Sequence, residues 1–210
     1  MKCEVCGMDV GLSHICSGIG PPRTAEEEEP PPEGIAPGYY LRLALRIVFW
    51  DEVAVRRAAR DPDSLFYGAI FSAITASMVF LVTALRGILH REGATPGTIF
   101  WSLLLGLVFV WVTLGIIALI QVGVCHFIAK ALFGATGRFV GVIRPLLLGW
   151  FVNGLAAIPV VGAVAAALAW TAVLTLVFAE VDGIGKMPAL VISAGINLCF
   201  LTLQFLLPAR

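Results

Sequence analysis

The chain has 210 residues, 59% hydrophobic and 13% charged, with zero formal charge at pH 7 and a mean hydropathy of +0.94. Soluble domains average about 25% charged residues, so an ordinary water-soluble globule is excluded and an integral membrane protein is indicated. Beyond Phe66 the fully charged residues are Arg86, Arg91, Glu92, Lys130, Arg138, Arg144, Glu180, Asp182, Lys186 and the final Arg210. Nothing in this pattern calls for nucleic acid as a partner.

The chain opens with MKCEVCGMDVGLSHICSG, in which Cys3-x-x-Cys6-Gly7 is followed by His14-x-Cys16. A structural zinc ion takes four nitrogen or sulfur ligands in a tetrahedron, and a two-residue gap lets both thiolates face one ion. Residues 1–17 are therefore expected to form a zinc-ribbon-like knuckle, with Cys3, Cys6, His14 and Cys16 holding structural Zn2+. In ribbons that this resembles a second C-x-x-C would follow; CSGIG has Ile19 in that place, and His14 supplies the fourth donor. No secretory signal precedes the cysteines, so a reducing cytoplasmic side is expected, where such a pair holds metal rather than forming a disulfide. A thiol-redox role would need a thioredoxin-like strand and helix around the pair, which this stretch lacks.

Residues 18–38, rich in proline, glycine and the Glu26–Glu29 run, cannot bury enough apolar area to offset ordering entropy and are expected to form a disordered linker. Residues 39–64 then predict a cytoplasmic interfacial helix. At about 100° per residue Arg42, Arg46, Arg56, Arg57 and Arg60 share one sector, facing headgroups, while Leu43, Ile47, Val48 and Val55 turn inward. Asp51 interrupts the apolar side, which predicts a break near Trp50 with Asp51 capping a second short helix. DPDS at 61–64 turns the chain.

Apolar runs of about 20 residues, enough to cross a roughly 30 Å core, place five spans within residues 65–207. The first covers about 65–89. The second starts near Pro96 and passes Val124, with HFIAKALF emerging along the cytoplasmic interface. The third starts at Pro145, and IPVVG at 158–162 separates it from the fourth because proline and glycine together break the helix. The fifth covers about 188–207. Cytoplasmic segments then hold Arg42 to Arg60, Lys130, Arg138, Arg144 and Lys186, which favours an inner or plasma membrane protein with its N-terminus inside and C-terminus outside.

Over residues 40–207 the chain resembles the YIP domain, the Ypt/Rab-interacting-protein type of five-span membrane protein, in its bacterial form. The resemblance is carried by RRAARDPDSLFYG, HFIAKALFGATGRF, IPVVG and FAEVDGIGKMPALVI in that order. It implies an all-α polytopic bundle with a small N-terminal zinc ribbon, and a role in organising membranes through protein contacts. The family's G-Y-G element is absent from the third span, which reads LLLGWFVNG, so GTPase binding is not carried over.

The polar groups within the spans are Gln121, Asn153, Asn197 and Gln204, amides that in lipid chiefly bond neighbouring helices. Cys125 and His126 are adjacent on a helix and so about 100° apart, which makes them no nucleophile and base. VDGIGK lacks the spacing and hydroxyl of a phosphate loop. Gly106, Gly115, Gly149, Gly154, Gly162 and the AVAAALA run offer small surfaces for helix packing within the bundle, or for self-association as a homo-oligomer. No enzyme is expected. The expected role is a non-catalytic membrane scaffold or adaptor recruiting a protein partner at the cytoplasmic face. The alternatives are a transporter or channel component and a zinc-responsive membrane regulator.

Overall fold

The structure is a computed structural model that describes residues 34, 36–89, 95–159 and 161–206, and their side chains except those of 89, 201 and 203–206. The expected zinc ligands Cys3, Cys6, His14 and Cys16, most of the linker and the Gln204 side chain lie outside these bounds. Every regular element among the described residues is helical: α1 (Pro37–Val48), α2 (Glu52–Arg60), α3 (Asp63–Leu89), α4 (Pro96–Phe133), α5 (Phe139–Gly149) continuing as a 3₁₀ segment (Trp150–Ala157), α6 (Gly162–Val181) and α7 (Lys186–Leu206).

Four stretches are long and apolar enough to cross a bilayer: Asp63–Ile88, Pro96–Phe133, Phe139–Ala157 and Gly162–Val181. Their outward faces carry large apolar side chains, such as Leu105, Phe109, Phe127 and Leu168, each about two-thirds exposed or more. In water such a surface would aggregate; facing lipid tails it is matched. This helical bundle is compatible with a multi-pass membrane protein.

The α1 residues Tyr40, Leu43, Ala44 and Ile47 recur at the helical spacing of one face, and that face is buried. On α2 the buried side is Ala54, Val55 and Ala58. Both helices pack on α5 and α6, whose Leu148, Val173, Leu174, Val177 and Phe178 form the centre of the core. Stacking of Tyr40 on Tyr67, with ring centroids 4.1 Å apart, adds a contact from α1 to α3.

The break at Trp50 and Asp51 occurs as the sequence predicts. Trp50 adopts φ +68°, and the Asp51 amide donates back to the Arg46 carbonyl at 3.0 Å, closing α1 in a Schellman-type turn. Asp51 Oδ1 then accepts from the Val53 and Ala54 amides at 2.9 and 3.1 Å, capping α2, while Oδ2 pairs with Arg46 at 2.8 Å. Partial burial works against the Asp51 carboxylate, but Arg46 and the two amides outweigh it and hold its pKa below the usual value. A lowered carboxylate pKa stabilises the corner above the ordinary carboxylate range and loses that contribution as pH falls through the folded-state value. Asp51→Ala is expected to cost about 1 kcal/mol, read as faster hydrogen exchange at Val53 and Ala54 with the bundle amides unchanged.

Two expected boundaries are corrected. HFIAKALF does not leave the second span to lie along the interface: α4 is one 38-residue helix, about 57 Å long, closed only at Gly134 in the left-handed conformation (φ +66°). No proline or glycine turn interrupts it at His126, and buried Val122, Cys125 and Ala129 keep that part on the bundle. The third apolar helix begins at Phe139, not at Pro145. Proline in a second turn removes one backbone donor without ending the helix, and here it lies buried within α5. The reversal at 158–162 stands where expected, with the 3₁₀ segment ending at Ala157 and α6 starting at Gly162.

Candidate functional site

Most of the chemistry gathers at one end of the bundle, where α1 and α2 pack on the start of α5 and the end of α6. Arg56 of α2 pairs with Glu180 of α6, and Lys186 of α7 reaches Glu52 of α2 at 2.6 Å. Arg144 of α5 donates Nη1 to the carbonyls of Ala59 and Arg60 at 3.0 and 3.3 Å, which satisfies the C-terminal end of α2 with a cation. These links join segments more than 80 residues apart in the chain.

The predicted interface arginines therefore divide. Arg46 pairs with Asp51 and Arg56 with Glu180, and both arginine side chains remain part-exposed. Arg57 lies over the Tyr39 ring, 5.9 Å from its centroid. Arg42 and Arg60 are exposed.

Beneath the cap, His126 Nδ1 of α4 lies 3.0 Å from Asp182 Oδ2 at the end of α6. Asp182 is 1% exposed, and burial pushes its carboxyl above the usual range while His126 and Lys130 pull it back. Its backbone carbonyl accepts from Thr136 at 3.1 Å, closing the loop after α4 against the loop after α6. A Cβ on Gly137 would collide with Asp182 Oδ1 and the Val181 carbonyl, so the two loops touch only because that residue has no side chain. Sequence reasoning left His126 without a partner: Asp182 is 56 residues away, and the only signal was a lone acid in VDGIGK.

Three of the expected amides fall into place and two of them meet. Gln121 of α4 donates to Asn197 of α7 and accepts from Trp170 Nε1 of α6 at 3.2 Å. Asn197 donates to Thr171 Oγ1 at 2.6 Å. This cluster ties α4, α6 and α7 together. Asn153 stands apart, bonding the Trp150 carbonyl one turn back at 3.0 Å. The glycine surfaces are also used internally: Cβ atoms at Gly106, Gly149 and Gly154 would meet Phe80, Val173 and Met78, whereas Gly115 meets nothing within 4 Å.

Two cavities border these elements. One, of about 480 Å³ between α3, α4 and α5, is lined almost wholly by apolar groups including Trp111, Trp150 and Trp170. The other, of about 630 Å³, lies at the junction of α2, α5 and α6 and is lined by Arg56, Arg60, Arg138, Arg144 and Glu180. Among the described residues no cluster of three or more histidine, cysteine or acidic side chains has the placement of a metal site. The chain matches no family model, no curated protein and no solved structure.

Proposed function

We propose that the chain is a non-catalytic integral membrane scaffold of the YIP-domain type, with five spans, its N-terminus cytoplasmic and its C-terminus outside. The α1–α2 cap lies on the cytoplasmic face, and α7, with 21 residues, supplies the fifth crossing. Ahead of it, Cys3, Cys6, His14 and Cys16 hold a structural zinc ion: three thiolates and an imidazole make a complete tetrahedral donor set. The linker, at about 5–6 Å times the square root of its length, gives this knuckle a reach of about 25 Å from the cap.

The observation that carries the reading is the docking of the cap. Its apolar face is buried, and Arg56–Glu180 and Lys186–Glu52 fix it to α6 and α7 as a docked platform. The intramembrane amides support a scaffold over a transporter, because Gln121, Asn197 and Thr171 are spent on one another rather than aimed along a wet path.

The test is capture of partners from native membranes with the whole chain and with a variant lacking residues 1–38. A protein recovered in stoichiometric amount by the whole chain and lost from the shortened one is the expected result. Identical partner sets for the two would contradict recruitment by the knuckle.

A further inference from the structure

The arginine-lined cleft is more than a by-product of the cap. Four guanidinium groups surround about 630 Å³ of space against one carboxylate, and they come from two elements: Arg56 and Arg60 from α2, Arg138 and Arg144 from the start of α5. Glu180 is engaged by Arg56. Arg144 is held in place by the Ala59 and Arg60 carbonyls through Nη1, which leaves its Nε buried with no hydrogen-bond acceptor among the described residues. Arg60 and Arg138 are exposed, and neither side chain has a hydrogen-bond or ion-pair partner among the described residues. Two exposed guanidinium groups without a partner, beside the fixed guanidinium of Arg144, leave the cleft with positive charge that suits an anion.

The backbone favours the same ligand. Arg138 is the N-cap of the 11-residue α5, and as a donor-only side chain it leaves the first-turn amides uncapped, while Val140 and Gly141 of that turn border the cleft. Amides of a first helical turn point outward and favour negative charge, phosphate above all. The level of the cleft narrows the source. It is flanked by the first turn of one apolar helix and the last turn of another, Phe139–Ala157 and Gly162–Val181. In a bilayer those ends lie at the headgroups.

We infer that this cleft binds the phosphate diester of an anionic lipid headgroup, with Arg60 and Arg138 as its donors. The inference rests on the membrane placement proposed above. It assigns the cap a second task, that of selecting the lipid on which the scaffold sits, and it predicts that loss of one bound lipid loosens the α2–α5 junction.

Thermal unfolding of the full-length protein in detergent, titrated with short-chain phosphatidylglycerol, phosphatidylcholine or inorganic phosphate, tests it. Phosphatidylglycerol is expected to raise the midpoint saturably, and Arg60→Gln/Arg138→Gln to weaken that binding by about tenfold or more. Both side chains are exposed, so the double variant should fold, and Arg86→Gln, in the last turn of α3 and away from the cleft, should bind as the wild type does. An equal shift with phosphatidylcholine, or in the double variant, would overturn the cleft as the site. The same shift with inorganic phosphate alone would overturn the lipid as its source. Alkaline extraction of native membranes separates the two failures: release of the protein sinks the membrane reading itself, whereas retention without phosphatidylglycerol selectivity sinks only the cleft.

Discussion

Asp182→Ala is expected to destabilise the bundle by about 3 kcal/mol, the largest single loss outside the apolar core. The carboxylate is fully buried between α4 and α6, 3.0 Å from His126 Nδ1. Removing one member of a buried pair leaves the other desolvated and unpartnered, which costs several times the net value of the pair. Asp182→Asn, which keeps an acceptor for a protonated Nδ1, should lose less than half as much. Unfolding midpoints of the two variants in one detergent check this, and equal losses would show that packing around residue 182 matters and the hydrogen bond does not. The pH dependence has a definite sign. Because burial raises the Asp182 carboxyl, its protonated form is favoured by folding. Its contribution is therefore most favourable below the ordinary carboxylate pKa and declines as pH rises through the raised value. Asp51 behaves oppositely, losing its contribution as pH falls.

Gly68→Val is expected to cost about 3 kcal/mol or to prevent insertion of a folded bundle. A Cβ at Gly68 would stand 2.7 Å from Leu147 Cβ and 3.0 Å from the Leu148 backbone nitrogen, so α3 and α5 approach through a position with room for a hydrogen only. One of the two obstructing atoms is backbone, and no rotamer change relieves it. Ser72, one turn further along α3, donates to the Leu147 carbonyl at 3.0 Å, and that bond would be pulled apart as the helices separate. Inserted methyl groups in a packed interior typically cost about 1–3 kcal/mol. A two-methyl side chain against backbone belongs at the upper end. Gly115→Val serves as the control, since nothing lies within 4 Å of a Cβ there. A Gly68→Val protein with the midpoint of the wild type would refute this close contact.

What sequence alone conveys here follows from how far each feature reaches along the chain. Asp51 as a cap, the break beside it and the IPVVG reversal are local events, decided by residues within a turn of one another, and all three occur as expected. The apolar helices are legible for the same reason, because hydropathy accumulates over a contiguous run. α5 starts six residues ahead of the uncharged run that begins at Pro145, because Arg144 is carried within its first turns and Pro145 costs the helix only a single backbone donor. The pairs that gather the cap are not local. Gln121 meets Asn197 across 76 residues, Arg144 meets Ala59 across 85, and Arg56 meets Glu180 across 124. Helical periodicity tells which side of a helix is polar, not which neighbour receives it. Hence the intramembrane amides were recognised as helix-binding groups, while the His126–Asp182 pair and the contribution of Arg138 and Arg144 to a basic cleft came only from the three-dimensional arrangement.

The central claim is that the apolar helices cross a bilayer an odd number of times, with the α1–α2 cap on the cytoplasmic side. Paired reporters measure it directly, one ahead of Met1 and one after Arg210, each active on one side of the membrane only. The account predicts a cytoplasmic signal from the first and an external signal from the second; signals from the same side would make the number of crossings even and contradict it.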